Sequence, residues 1–389
     1  MSFFNLEKIN DGKFIKFNIK NMDIAFVNSI RRIILSEIPN VGFNFDIHNI
    51  TNSDIIINKN TCALHNEFLA HRISLIPIFI DDSEIVNFNP KKYKFIIKKK
   101  NNTANIINIT TQDFEIYDEN NKKYPDSIRE YLFPKNPITN DYILITKIKP
   151  NLYDLQNGEE IDIEAFASKD IAKTHSRWCP VSQCSFGNVI DIESANEAFL
   201  IKVSKTESET GKKLTEEKIQ SMRQQFNTLD AYRYYIKNMY DEPSEVEFMI
   251  ETECRLTPQY IFGQSIDILK NKLLQFIEKL DKDIQIQPIP NVENFFELYI
   301  KDESYTLLNV LQSLIYNFNL RQTESSILEF IGYYSSHPLD NVMILKIKFV
   351  KSLKEKDTIQ FLKNFLEENV KKIIEQLENY HTEWNEFIQ

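Results

Sequence analysis

Glycine is scarce in this chain, with seven in 389 residues. None falls in a GxGxxG or GxxxxGK[ST] pattern, which argues against a loop that cradles a phosphate. Cysteine is scarcer. Cys62, Cys179, Cys184 and Cys254 are the whole set, too few for a disulfide framework or for a four-cysteine zinc site in each half. Reduced thiols and an intracellular setting are expected. Positive charge is not in excess either. The 46 Lys and Arg face 56 Asp and Glu, giving a net charge of −10 and a pI near 5.3, the wrong sign for a chain whose main task is to grip nucleic acid. No stretch approaches the roughly 18 to 20 uninterrupted apolar residues of a membrane span. The opening MSFFNLEKIN lacks the basic and apolar regions of a signal peptide.

What is present suits a globular protein: 42% hydrophobic and 26% charged residues. At roughly 150 residues per domain, the length gives two or three domains, each able to bury a core. The most informative feature is internal. Asp23 to Leu35 can be laid over Ser304 to Tyr316, so that Phe26, Val27, Asn28, Ile30, Ile33 and Ile34 fall on Leu307, Leu308, Asn309, Leu311, Leu314 and Ile315. Each copy is an amphipathic helix with one Asn among its apolar residues. Each is followed by a β-rich run and then another helix, the outline of two related subunits in one polypeptide.

Periodicity fills in the rest. FFNLEKIN and KFIKFNIK alternate about Asp11-Gly12, predicting a strand pair over residues 3–20. Asp23 to Ile38 has helical period and stops at Pro39. From Val41 to Lys169 the apolar runs are short and β-branched, interrupted by a helix over Thr61 to Arg72 and a polar loop over Asp118 to Asn140. Trp178 to Phe186 and Ala198 to Val203 read as strands, and Ser208 to Asn238 as a helical excursion. Strand Glu245 to Leu256 leads to a long helix, Ile261 to Leu280, whose seam is Ile266, Leu269, Leu273, Phe276 and Leu280. Asp281 to Val292 reads as a linker. The plan then repeats in compact form: strand Phe295 to Ile300, the helix from Tyr305, the segment Ile327 to Leu339, strand Val342 to Val350, and a final helix Thr358 to Phe387. On that helix Leu362, Leu366, Ile373, Leu377, Tyr380, Trp384 and Phe387 form a stripe. The two long helices can pack on one another, or each on its own sheet.

Three constellations invite chemistry. The basic run from Lys91 to Lys100 reads first as the solvated face and turn of a hairpin, with nucleic-acid or partner contact as the alternative. Glu67 and His71 lie i, i+4 on one helical face, but no nucleophile or ligand set accompanies them. His175, Cys179 and Cys184 have spacings that hint only weakly at a metal, and a buried strand with small thiols is the better account. His337-Pro338-Leu339 reads as a rigid turn. Asn28 and Asn309, set among apolar residues, need hydrogen-bond partners, most simply local ones.

Phe26-Val27-Asn28-Ser29-Ile30-Arg31-Arg32 running to Glu37-Ile38-Pro39 resembles the first helix of the alpha-type assembly subunits of multisubunit RNA polymerases. Asn66-Glu67-Phe68-Leu69-Ala70-His71-Arg72-Ile73-Ser74-Leu75-Ile76-Pro77-Ile78 is similar to a second block of that family, with Ser74 where the family has Gly. Lys173 to Val181 looks like the point where the larger eukaryotic-type partner leaves its insert and re-enters the dimerisation fold. Glu303 to Leu311 and Phe330 to Leu339 resemble the small partner, with Leu308 where that partner has Gly. The resemblance covers nearly the whole chain and implies that both partners are fused, an arrangement associated with large DNA viruses.

The fold class implied is α+β: two alpha-like dimerisation domains packed as an intramolecular pseudo-heterodimer, the first interrupted by a β-rich insert. The domains expected are 1–46 with 171–283, the insert 47–170, and the small-partner-like 284–389. The resemblance implies a non-catalytic platform that nucleates assembly of a DNA-dependent RNA polymerase. Its partners would be the second-largest and largest subunits and small zinc-bearing subunits, with little direct DNA contact, no membrane and no homo-oligomer. No cofactor is implied, and the single insert cysteine, Cys62, does not support a zinc there. The subunit interface would use Asn28, Arg31, Arg32, Glu37, Glu67, His71, Arg72 and Pro77. The intramolecular interface would use Phe26, Ile30, Ile33, Leu307, Leu311 and Leu314, together with the Ile266 to Leu280 seam and Leu366, Ile373 and Leu377. The setting implied is the virion and host cytoplasm, with the nucleus as the alternative.

Overall fold

The computed structural model describes residues 2–321, 326–337, 339–350 and 358–388. Pro338 of the expected rigid turn lies outside them. The chain opens with strands β1 (Phe3–Ile9) and β2 (Phe14–Lys20) and helix α1 (Ile24–Ser36). A strand-rich stretch follows: β3 (Pro39–Gly42), β4 (Ile55–Asn60), α2 (Asn66–Ser74), α3 (Asp82–Val86), β5 (Lys94–Lys100), β6 (Ile107–Thr110), β7 (Glu115–Tyr117), α4 (Asp126–Leu132), β8 (Leu144–Ile148), β9 (Glu160–Phe166) and β10 (Ser168–Ile171). Then come β11 (Val181–Asn188), α5 (Ile192–Thr210), α6 (Glu216–Gln225), β12 (Glu245–Thr252) and α7 (Pro258–Lys282). The last part is β13 (Gln285–Pro288), β14 (Phe295–Lys301), α8 (Tyr305–Tyr316), β15 (Leu328–Tyr334), β16 (Val342–Phe349) and α9 (Thr358–Ile388).

The shortage of glycine shows in the backbone. Left-handed conformations are unfavourable for residues with a Cβ, and Asn and Asp tolerate them best. Among the described residues the ten non-glycine positions with positive φ are all Asn or Asp, and only Gly12 and Gly211 join them. The β1–β2 turn uses three in a row, Asn10, Asp11 and Gly12.

The chain divides into two compact units. One comprises Met1–Ile34, Gln183–Glu251 and Phe262–Gln389; the other comprises Leu35–Ser182 and Thr252–Ile261. The first holds two four-stranded sheets, ordered β1-β2-β12-β11 and β13-β14-β16-β15. Each is therefore built in the chain order strand, strand, helix, strand, strand, helix, with the third strand of each set at one edge and the fourth between the second and the third. In α1, Phe26, Val27, Ile30, Ile33 and Ile34 are buried; in α8, Leu307, Leu308, Leu311, Leu314 and Ile315 are buried. The helices touch: Ser29 Oγ donates to Ala25 O in its own helix at 2.7 Å and to Thr306 O at 3.2 Å. At the other end Asp23, whose Oδ1 caps α1 by accepting from the Ala25 N–H, accepts from Ser313 Oγ at 2.8 Å and Asn317 Nδ2 at 2.7 Å.

The long helices also meet. Asp267–His381, Lys270–Glu378 and Asp281–Lys363 link α7 to α9, and one index falls as the other rises, so the two run antiparallel. All five seam residues of α7 and all three named residues of α9 are buried. Trp384 of α9 is fully buried against Phe3, Phe17 and Phe262, with ring centroids 5.3, 4.9 and 4.2 Å away.

The second unit carries the four-stranded sheet β4-β9-β5-β7 and the pairs β6-β8 and β3-β10. Phe43, Phe95, Phe114 and Phe133 stack at its centre, with Phe43–Phe95 and Phe114–Phe133 both at 5.1 Å. Buried Asn101 donates to Asn105 O and Ile148 O and accepts from the Thr103 N–H. A Cβ at Gly158 would lie 2.0 Å from Asn101 O, so this contact requires glycine.

Four local expectations differ from the structure, the first being that Asp118 to Asn140, read as a polar loop, holds helix α4 (Asp126–Leu132). Ala198 to Val203 is not a strand but the middle of α5. Asp191 accepts from the N–H groups of Glu193 and Ser194, and Ala195 and Phe199, one turn apart, pack on Phe226 and Ala231. The β-branched run lost to a capped start and a helical pair of anchors. The stretch read as a linker, Asp281 to Val292, holds the edge strand β13, with Ile286 opposite Leu298. The first insert helix starts at Asn66 rather than Thr61.

Candidate functional site

In the first unit the exposed end of α1 is built by a local bond. Asn28 Oδ1 accepts from Arg31 Nε at 3.1 Å and Nη2 at 2.9 Å, so the amide is satisfied one turn along its own helix and Arg31 is held half-buried. Arg32 is exposed. Its charge reaches Tyr333, whose phenol is pushed up by burial and by Tyr305 and is pulled the other way by Arg32. Tyr305 and Tyr333 lie 6.0 Å apart edge to face, and Tyr305 is exposed. An Arg beside two Tyr rings is the composition that protein interfaces favour at their centres. Sequence reading selected Arg32 but not the tyrosines. The signal was there, since Tyr305 opens α8 ahead of a face that is otherwise aliphatic.

A cleft of about 600 Å³ lies in the same unit, lined among others by Asp23, Glu242, Asn309, Arg321 and Tyr380. Its charged groups are already engaged. Asp23 bonds across to α8, and Arg321 donates through Nη1 and Nη2 to the two carboxylate oxygens of Glu242 at 2.6 and 2.5 Å. Arg321 also lies over the rings of Tyr240 and Tyr316, and Tyr380 is pushed up to about 12 by burial.

In the second unit α2 buries Leu69, Ala70 and Ile73 and turns Glu67, Phe68 and His71 outward. Phe68 is 63% exposed and Leu75 50%, with Pro77 exposed beside them. Arg72 is exposed, and its Nε donates to Ile145 O at 2.9 Å and Nη2 to Leu144 O at 3.1 Å, pinning α2 to β8. Glu37 is half-buried just beyond α1. His175 accepts the Arg177 N–H at Nδ1 and is held below the usual imidazole range by burial and by the charges of Arg177 and His71. Arg177 in turn donates to Phe43 O and Phe45 O, both at 3.0 Å.

The basic run is largely neutralised. Lys94 pairs with Glu164 at 2.8 Å, Lys98 with Asp162 at 2.7 Å, Lys99 with Asp113 at 3.4 Å and Lys100 with Glu160 at 4.0 Å. Lys92 bonds Glu84 at 2.8 Å. The run is one rail of a cross-strand charge ladder between β5 and β9, which leaves little unbalanced potential for phosphates. Among the described residues no three His, Cys, Asp or Glu side chains cluster as a metal would require. Cys179 Sγ instead approaches Val181 O at 3.2 Å, and Cys184 is buried.

Comparison with known proteins gives the same direction. The mouse DNA-directed RNA polymerases I and III subunit RPAC1 is 24% identical over 305 residues, covering 70% of this chain and 82% of the mouse protein. The DNA-directed RNA polymerase subunit Rpo3 of Methanobrevibacter smithii is 24% identical over 290 residues, 68% of this chain and 93% of that protein. The Dictyostelium discoideum DNA-directed RNA polymerases I and III subunit rpac1 is 28% identical over 194 residues, 44% of this chain and 48% of its own. The model of the RNA polymerase Rpb3/Rpb11 dimerisation domain matches residues 16–273, well over half the chain, and the protein belongs to that family.

Proposed function

We propose that this chain is a non-catalytic assembly subunit of a DNA-dependent RNA polymerase in which both members of the dimerisation pair are fused, residues 284–389 standing in for the small partner. One observation carries this reading. The strand order β1-β2-β12-β11 recurs as β13-β14-β16-β15 within one compact unit, and α1 meets α8 while α7 meets α9. This recurrence supports the reading that the second set of elements stands in for a partner subunit. Fusion raises the effective concentration of one half for the other, and a preassembled platform lowers the entropy cost of gathering large subunits.

The platform would hold the largest and second-largest subunits and small zinc-bearing subunits. Two surfaces are offered for them: Arg32 with Tyr305 and Tyr333, and Phe68 with Leu75 and Pro77. The test is co-purification. Arg32→Glu should leave the chain folded and abolish recovery of the second-largest polymerase subunit, because a guanidinium that pairs with a partner carboxylate becomes a repulsive charge. Undiminished recovery would overturn that interface. Light scattering should give a monomer for the isolated chain, and a stable homodimer would overturn the intramolecular pairing.

A further inference from the structure

Two of the four thiols lie just beyond the ends of β11 and β12. These strands are neighbours in the first sheet. Near one end the Val189 N–H bonds to Glu245 O, and near the other the Glu253 N–H bonds to Pro180 O at 3.3 Å. One index rises as the other falls, so the strands run antiparallel. Cys254 follows Glu253 and Cys179 precedes Pro180, so the bonded pair has a cysteine next to each member, both just beyond the strand ends. Pro180 has no N–H to return, so this pair makes its single bond and the ladder stops there.

We propose that Cys179 and Cys254 form an oxidisable thiol pair, which a peroxide converts to a disulfide across the ends of β11 and β12. Both side chains stay close to the shared backbone: Cys254 Sγ lies 3.4 Å from Pro180 O, and Cys179 Sγ 3.2 Å from Val181 O. Both are free thiols in this structure. Their surroundings assign the order of events. Cys254 is buried, and burial pushes its thiol up to about 12, with Asp82 and Cys179 adding to the effect. Cys179 is only half-buried and is the sulfur a small oxidant reaches first. Its thiolate attacks one peroxide oxygen, the O–O bond breaks, and Cys179 becomes a sulfenic acid as water leaves. The sulfur of Cys254 then attacks that of Cys179. The S–S bond forms, the S–O bond breaks, and the thiol proton leaves with the hydroxyl as a second water. Two thiols are oxidised and one hydrogen peroxide is reduced. The bond would close a loop over residues 179–254 at the end of β11 and β12 away from the Val189–Glu245 bond.

The test treats the intact chain with hydrogen peroxide, blocks remaining thiols by alkylation, and maps the peptides without reduction. The expected result is one cross-linked peptide pair joining Cys179 to Cys254, lighter by the mass of two hydrogens, with Cys62 and Cys184 alkylated. In Cys254→Ser the sulfenic acid on Cys179 should persist and be trapped by a 1,3-dione; in Cys179→Ser, Cys254 should stay reduced. Four alkylated cysteines after peroxide, or a cross-link through Cys62 or Cys184, would overturn the proposal. The wild-type map decides the matter even where a serine variant fails to fold.

Discussion

The two halves of the first unit share one plan and differ in what interrupts it. Between α1 and β11 the first half sends out all of β3 to β10, and between β11 and β12 it adds α5 and α6. In the second half only residues 335–341 separate β15 from β16. The strands and the helix faces that bury apolar side chains are kept in both, while the connections diverge, because a connection on the surface can lengthen at little cost in loop entropy. The helices teach a finer point. Asp23 and Ser304 occupy equivalent positions and both cap their helices, but Asp23 also reaches Ser313 and Asn317, whereas among the described residues Ser304 accepts from the Thr306 N–H alone. The cap of the first helix therefore also joins the two halves, through Ser313 and Asn317.

The largest test is to cut the comparison in two. Expressed separately, residues 1–283 and 284–389 should each fail to give a stable monomer, and co-expression should recover a one-to-one complex, measured by light scattering. Independent folding of residues 284–389 would break the claim that the halves complete each other. Next is Trp384→Ala. The indole belongs to the second half and is buried among rings of the first, so its loss should cost about 3–5 kcal/mol. Urea unfolding should show both halves of the unit weakened together, not α9 alone.

The unequal caps give a sharper prediction. Asp23→Ala removes one helix cap and two cross-helix acceptor contacts, and should cost about 2 kcal/mol, against about 1 kcal/mol for Ser304→Ala. Equal losses would mean that the bonds to Ser313 and Asn317 contribute nothing measurable.

Much of this plan was legible in the sequence, for reasons visible in particular residues. Phe26, Ile30 and Ile33, and likewise Leu307, Leu311 and Leu314, announced helices because their spacing is one-sided and burial enforces it. The α5 error arose because Phe199, Leu200 and Ile201 make a continuous apolar run. Only the cap at Asp191 and the distant partner Phe226 decide that Phe199 points inward while Leu200 and Ile201 stay exposed. The charge ladder under Lys94 to Lys100 depends on strand register with β9, which no local pattern encodes. Arg72 was selected for a partner, and no local pattern foretold that its Nε and Nη2 donate to Ile145 O and Leu144 O, carbonyls more than seventy residues away. Long-range pairing hid what local period could not supply.

The smallest expected effect tests one more link between the halves. Glu242 belongs to the first half and Arg321 to the second, and their two-bond pair is partly exposed, with side-chain exposures of 44% and 23%. Solvent screening limits such a pair to about 1 kcal/mol, even with fork geometry. Arg321 holds the Glu242 carboxyl below its ordinary value of 4.5. The folded state therefore binds the proton more weakly than the unfolded chain does. The stabilisation is complete above about pH 4.5 and is lost as pH falls through the lower folded value. Glu242→Gln should thus lower urea stability by about 1 kcal/mol at neutral pH and make no difference in strong acid. A loss that persists unchanged in acid would mean that the glutamate acts through packing beside Tyr240 and not through its charge on Arg321.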